Sequence, residues 1–361
     1  MFALIFVAIA VSAEESQIHS DEVVTFYPTA AHLDSNLDEW VVPIRGIIFE
    51  PEEDSLRRRL LISLIRRSFG LKKAEPETEI FKQRVRLFLV DNERGKQIDI
   101  RIAGSLVRLS KSGSNGHFQS ELRFPRDQVA KLQIDEDGTN GSLPFEAIMK
   151  PQDKRLFAGK VQLLEHRGFS IVSDIDDTIK HSEVPDKKEL VRNTFLRPFK
   201  AAAGMAKLYQ QRAREGWAFH YVSASPWQLY EPLSSFAAKE GFPTGTYDLR
   251  LFRMKDSTIK AMFTSSAPYK QQTIQGLLKR WPQRRFVLIG DSGEKDPEIY
   301  GDLARQHREQ ILAVLIRNVT SQAITDKRYV DAFQGFDQIH CQLFTDPSEL
   351  EPCFEKWKSA P

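Results

Sequence analysis

Three aspartates, Asp174, Asp176 and Asp177, stand within four positions of the stretch IVSDIDDTIK, directly after an apolar run. Like charges this close disfavour one another's ionisation, so the cluster calls for a counter-charge. Further along, Ser223 closes a second apolar run, and Asp291 and Asp296 lie in GDSGEKD after a third, with Lys270 upstream of it. A divalent cation resolves the electrostatics. Asp174, Asp291 and Asp296 offer hard oxygen ligands of the kind Mg²⁺ prefers, leaving positions for water and a phosphate oxygen. A carboxylate kept ionised in this way can attack phosphorus. A second carboxyl two residues on, Asp176, can protonate a leaving alcohol and later activate water. Ser223 and Lys270 suit the task of holding and neutralising the equatorial phosphoryl oxygens. A calcium-stabilised, non-catalytic module also gathers aspartates, but usually in one continuous loop. Asp174 and Asp291 are more than a hundred residues apart.

The elements that must position these residues alternate between strand and helix. Phe169 to Ser173, Trp217 to Ser223, Arg285 to Gly290 and Ile311 to Ile316 read as strands, and 198–215, 226–240, 270–281 and 296–307 as helices. That order predicts a Rossmann-like α/β domain with a parallel, doubly wound sheet, in which ligands bind beyond the carboxyl ends of the strands. All the acids named above fall at such ends. Arg317 follows the last of these strands and is a candidate substrate contact. Asp177 reads as a loop or helix-capping acid, Ser225 as a cap for the helix near Pro226, and His181 as a solvated loop residue. Trp227 and Tyr230 suit either an entrance or the core. Only about forty residues separate Thr178 from the second strand, which leaves little for a long cap and predicts an open site.

The preceding region, 22–165, reads mostly as strands. Val41 to Phe49 is apolar, Val85, Leu87 and Leu89 alternate with other residues, and so do Ile98, Ile100 and Ile102. Turn chemistry at 92–95 and 112–116 separates such runs, so a β-rich, sandwich-like domain is expected. Residues 54–70 break the pattern. Their apolar side chains follow helical spacing, with Arg59, Arg66 and Arg67 on the remaining arc, which predicts a helix packed on the sandwich with a solvated basic edge. The rival reading is a basic amphipathic helix on an anionic membrane.

The chain has 361 residues, 28% charged and 41% hydrophobic, with a net charge of +2. This is the profile of a globular protein and argues against a strongly basic nucleic-acid binder. The opening MFALIFVAIAVSA is too short to span a bilayer and ends in a small-x-small pattern, so residues 1–13 read as a signal peptide and the protein as exported, periplasmic or secreted. The two cysteines, Cys341 and Cys353, show no zinc-ligand spacing and could pair in an oxidising compartment.

DIDDT at 174–178 matches the DxDxT signature of the haloacid-dehalogenase-like phosphatases. Together, SDIDDTIK, YVSASPWQLY and LIGDSGEKDPEIY resemble the catalytic domain of the actin-patch-protein type of phosphatidate phosphatase, and IIFEPEEDSLRRR with GHFQSELRFP resembles its N-terminal region. The resemblance implies a catalytic domain over 166–361 that removes phosphate from phosphatidic acid with Mg²⁺, leaving diacylglycerol. It implies Asp174 as nucleophile, Asp176 as general acid/base, Thr178 as support for that loop, Ser223 and Lys270 as phosphate-binding groups, and Asp291 and Asp296 as metal-binding acids beside Asp174 and Asp176. A phospholipid substrate further implies peripheral contact with a membrane surface. Two other readings are a phosphatase for another phosphomonoester, soluble or lysophospholipid, and a non-enzymatic surface module that keeps the metal site.

Overall fold

The computed structural model describes residues 16–34, 36–51, 55–70, 78–132, 134–136, 140–252, 267–336 and 341–358. The apolar stretch 1–13, expected to be a signal peptide, and the basic residues Arg253, Lys255 and Lys260 lie outside them. The chain forms two compact units. One holds the described residues of 1–51, 91–134 and 142–162, the other those of 52–90, 135–141 and 163–361. No helix among the described residues is long and apolar enough to cross a membrane.

The first unit is β-rich. Its strands join in one hydrogen-bonded sheet. The long strand Glu39–Pro51 makes this continuity possible. It pairs antiparallel with Val23–Tyr27 and Thr29–Asp34, and with His117–Pro125. Alternation drives the last pairing: Phe118, Ser120 and Phe124 are buried, while Gln119, Glu121 and Arg123 are exposed.

The second unit carries a six-stranded sheet. We label its strands β1 (Phe169–Ser173), β2 (Ala218–Pro226), β3 (Thr246–Arg250), β4 (Arg285–Asp291), β5 (Ile311–Arg317) and β6 (Cys341–Phe344). Their order is β3-β2-β1-β4-β5-β6, and every neighbouring pair is parallel. Continuous apolar runs such as Ile171-Val172 and Val287-Leu288-Ile289, all fully buried, suit a sheet covered on both faces. Strand order reverses between β1 and β4, so a crevice opens beyond their carboxyl ends. Helices Met205–Arg214, Tyr230–Lys239, Ala267–Arg280 and Asp296–Gln306 stand close to their sequence-predicted spans. β3 and β6 were not foreseen, because their short runs (TYDLR and CQLF) carry little periodic signal.

Two expectations for the helical region are corrected. The alternation at 85–89 is not a strand: Glu79–Arg86 is a helix, capped where Thr78 Oγ1 accepts the Phe81 N–H at 3.3 Å. Its buried residues Phe81, Arg84, Val85 and, just beyond it, Leu89 recur at helical spacing, which the local alternation hid. The helix Ser55–Phe69, expected on the sandwich, falls in the parallel-sheet unit. Its Leu61 and Ile65 share a core cluster with Phe81, Val85, Leu89, Val191 and Phe195, in the parallel-sheet unit. Cys341 and Cys353 are both free thiols, and the Cys353 thiol donates to Gln342 Oε1 at 3.3 Å.

Candidate active site

The end of β1 is fixed to the end of β4, where the Asp174 N–H donates to the Ile289 carbonyl at 2.9 Å. This places Asp174, 1% exposed, at the switch point of the sheet. Its Oδ1 lies 2.8 Å from Lys270 Nζ, and its Oδ2 accepts the Thr178 hydroxyl at 3.3 Å. β4 ends in Asp291, whose Oδ1 accepts the N–H groups of Gly293 and Glu294 at 2.6 and 3.1 Å. Its Oδ2 is buried and makes no hydrogen bond. Asp296 opens the next helix. Its Oδ1 is 2.7 Å from Lys270 Nζ, and its Oδ2 accepts the Asp291 N–H at 3.3 Å. Gly290 permits that approach, because a Cβ there would overlap the Asp296 carboxylate. Carboxylate oxygens of Asp174, Asp291 and Asp296 lie within 4.8 Å of one another, all three residues buried.

Charge is far from balanced here. Lys270, 2% exposed, is the ammonium shared by Asp174, Asp296 and, at 2.8 Å, Glu294 Oε2. Burial pushes the Asp174 and Asp291 carboxyls well above the usual range. Neighbouring acids push the same way, Asp296 foremost, and Lys270 offsets only part of this. Asp296 is raised too, again mainly by burial. Burial alone would lower Lys270, but its carboxylate partners outweigh it and hold the ammonium well above its ordinary value. Three convergent, all-oxygen donors with one orphaned carboxylate oxygen fit a hard divalent cation such as Mg²⁺. The same excess of negative charge makes the site poorly stable without one.

Residues 169–318 match the family described as phosphatidate phosphatase APP1, catalytic domain. Over this stretch the chain is similar to the APP1-type phosphatidate phosphatases. The chain is 37% identical over 154 residues to phosphatidate phosphatase APP1 of Saccharomyces cerevisiae, covering 42% of this chain and 26% of that protein. It is 30% identical over 191 residues to an uncharacterised protein of Schizosaccharomyces pombe, covering 50% of this chain and 31% of that one. The chain thus spans about a third or less of the length of these curated relatives. A solved structure described as a Pnkp1/Rnl/Hen1 complex aligns over 44% of this chain and 53% of its own at 12% identity, with a TM-score of 0.29, below the level that identifies a shared fold.

Within this APP1-type domain, the side chain of Asp176 lies apart from the acid cluster to which the sequence reading assigned it. Its Oδ1 is 2.7 Å from Lys180 Nζ and accepts the Ser182 hydroxyl at 2.7 Å. Its Oδ2 accepts the hydroxyls of Ser223 and Ser225 at 3.1 and 2.8 Å. Burial raises its proton affinity, but the Lys180 ammonium and these donors outweigh burial and hold the carboxyl far below the usual range. Ser223 thus reaches Asp176, and Thr178, fully buried, ties the loop to Asp174.

Arg317 is half-buried, and its Nη1 donates to the Asp177 carbonyl at 2.7 Å, so at this atom it braces the loop. Asp177 sits at φ +55°, and its carboxylate accepts the N–H groups of Ser182, Glu183 and Val184 at 2.8, 2.9 and 2.6 Å. That local capping offsets the cost of a left-handed backbone. His181 is exposed, and Trp227 and Tyr230 pack with Tyr247 as part of an aromatic group. Lys180, Ser182 and Glu294 were missed. Lys180 was open to inspection in IVSDIDDTIK, as a cation four residues from Asp176, but a lone lysine in a loop usually means solvent.

Proposed function

We propose that this protein is a divalent-cation-dependent phosphatidate phosphatase. The observation that carries the reading is the buried Asp174–Asp291–Asp296 cluster with Lys270 inside it, at the strand ends of the APP1-type domain. The parallel sheet and the DIDDT loop support placing the fold among haloacid-dehalogenase-like phosphatases. Asp174, Asp291 and Asp296 are the residues to hold Mg²⁺, which when bound supplies charge neutralisation to a phosphoryl group. In the first step an Asp174 carboxylate oxygen attacks phosphorus, and the bond from phosphorus to the glycerol oxygen breaks. That oxygen takes a proton from Asp176 and leaves as diacylglycerol. In the second step Asp176, now ionised, accepts a proton from water, whose oxygen attacks phosphorus and releases Asp174 and phosphate. Asp176 is held ionised by Lys180 before substrate arrives. A phosphate dianion beside it raises its proton affinity, so that it takes up the proton it gives to the leaving oxygen from solvent as substrate binds.

The leader-like residues 1–13 support export, and a phospholipid substrate supports peripheral contact with a membrane surface. The test is phosphate release from phosphatidic acid in mixed micelles with Mg²⁺, comparing the parent with Asp174→Asn. Release by the parent and none by a folded Asp174→Asn bears the reading out. A parent inactive on phosphatidic acid but active on soluble phosphomonoesters replaces the substrate and keeps the chemistry.

A further inference from the structure

Lys180 is not among the reacting groups set out above, yet it is one of the largest fully buried side chains among the described residues. A buried ammonium is costly unless paired, so its retention beside an active-site loop asks for a reason. Its surroundings hold it at a fixed point. Nζ pairs with Asp176 Oδ1 at 2.7 Å and donates to the Ser182 hydroxyl. It also lies 4.9 Å from the centre of the Phe199 ring. The backbone closes around it: the Lys180 N–H donates to the Ile175 carbonyl at 3.0 Å, and its own carbonyl accepts the Asp177 N–H at 2.7 Å. The Phe199 ring is in turn anchored by Arg84, whose Cζ lies 3.7 Å from its centre. Arg84 Nη1 donates to the carbonyls of Thr194 and Arg197 at 2.6 and 2.8 Å.

We propose that Lys180 is the positioning residue for Asp176, clamping its carboxylate, with Ser182, Ser223 and Ser225, apart from the Asp174–Asp291–Asp296 acids and so keeping the proton-transfer group separate from the phosphoryl-accepting group. This rests on the phosphatase reading above. Without the clamp, Asp176 is free to swing out of the geometry in which it meets the leaving oxygen and the attacking water. A misplacement of about 1 Å at such a group costs on the order of 10²-fold in rate. The loss belongs to kcat, because the Lys180 ammonium is taken up by Asp176, Ser182 and the Phe199 ring.

The experiment measures kcat and KM for phosphatidic acid in mixed micelles with Mg²⁺ for the parent, Lys180→Met, Lys180→Arg and Ser225→Ala, and repeats Lys180→Met in an Asp176→Asn background by single turnover at excess enzyme. Thermal melts check folding. Expected are a roughly 30- to 100-fold drop in kcat for Lys180→Met with KM within about twofold, and partial rescue by Lys180→Arg. The added loss in the Asp176→Asn background should stay below about threefold, since the group being positioned is already gone. Ser225→Ala, at a half-buried site, shows the same kcat-selective loss at smaller size. Parent-like rates in Lys180→Met overturn the proposal. So does a loss that appears in KM, or one as large in the Asp176→Asn background as in the parent. Should Lys180→Met fail to fold, parent-like kcat in both Lys180→Arg and Ser225→Ala overturns it. A parent that turns over no phosphomonoester overturns the phosphatase reading and this proposal together, whereas an active parent separates them.

Discussion

The acid cluster makes a counter-intuitive prediction: deleting one of its charges stabilises the protein when no divalent cation is present. The perturbation is Asp291→Asn. Asp291 Oδ1 accepts two backbone N–H groups, which an asparagine Oδ1 keeps. Oδ2 has no hydrogen-bond partner, and the carboxylate oxygens of Asp174, Asp291 and Asp296 lie within 4.8 Å of one another, so a neutral amide there relieves like-charge repulsion. At an effective dielectric of about 20, two carboxylates at that distance repel by about 3.5 kcal/mol. Protonation caps the penalty at about 1.4 kcal/mol per pH unit above the unfolded carboxyl value of about 3.9. A gain of about 2–3 kcal/mol at pH 8 is therefore expected in excess chelator, or a rise in melting temperature of about 4–10 °C.

The sign of the pH dependence follows from the same groups. Asp174 and Asp291 have raised values in the folded protein, so the folded state holds protons that the unfolded state releases. What these two groups contribute to the stability of the chelated parent is greatest below the unfolded carboxyl range and is lost as pH rises through the raised values. The advantage of Asp291→Asn accordingly grows from pH 5 to pH 8. Mg²⁺ closes the gap: at about a hundredfold its dissociation constant it stabilises the parent by about 2.7 kcal/mol, enough to offset the variant's advantage, and the variant by much less. The assay is a thermal melt at several pH values, with chelator and with Mg²⁺. An Asp291→Asn protein less stable than the parent in chelator, or equally stabilised by Mg²⁺, refutes the account of the cluster as a cation site.

Gly290→Ala places a methyl group against the Asp296 carboxylate, so it should weaken Mg²⁺-induced stabilisation more than it lowers the melting temperature in chelator, as paired melts would show. Arg84→Met leaves the Thr194 and Arg197 carbonyls without their guanidinium donor and the Phe199 ring without its cation. It should cost about 2–4 kcal/mol by chemical denaturation and lower kcat, although the sequence places it about ninety residues before Asp174. Cys341 and Cys353 should both react with a thiol reagent on unfolding without reductant, whereas a count of zero would indicate the bond that the structure lacks.

Much of the parallel-sheet unit was legible because each signal was local. A run such as IVS or VLIG is buried on both faces, and the acid that follows it must lie at a carboxyl end. Knowing the strand ends was therefore enough to bring Asp174, Asp291 and Asp296 together on paper. What failed was non-local. Nothing in EIFKQRVRLFL shows that Val85 and Leu89 face Val191 and Phe195 rather than a neighbouring strand. The alternation at 85–89 and the helical stripe from Phe81 share residues, and only the Thr78 cap and the tertiary partner decide between them. The basic helix Ser55–Phe69 was assigned the wrong support for the same reason: sequence shows which face is apolar, not what covers it.

The place of Asp176, which the resemblance set beside Asp174 among the metal-binding acids, is more instructive. Two acids at positions i and i+2 of a strand point to the same face, and a metal can then gather both. The strand, however, ends at Ser173. Beyond it the chain folds back, with Lys180 N–H on the Ile175 carbonyl and Asp177 in a left-handed conformation. The two carboxylates then part company, Asp174 toward Lys270 and Asp176 toward Lys180. Each aspartate acquires its own ammonium, and their proton affinities move in opposite directions, up for Asp174 and down for Asp176. Two carboxyls of one type, two residues apart, are thereby made chemically unlike, as division of labour between a nucleophile and a proton carrier requires. The turn after β1, rather than the motif's spacing, creates that difference, and Lys180 is the residue through which it can be tested.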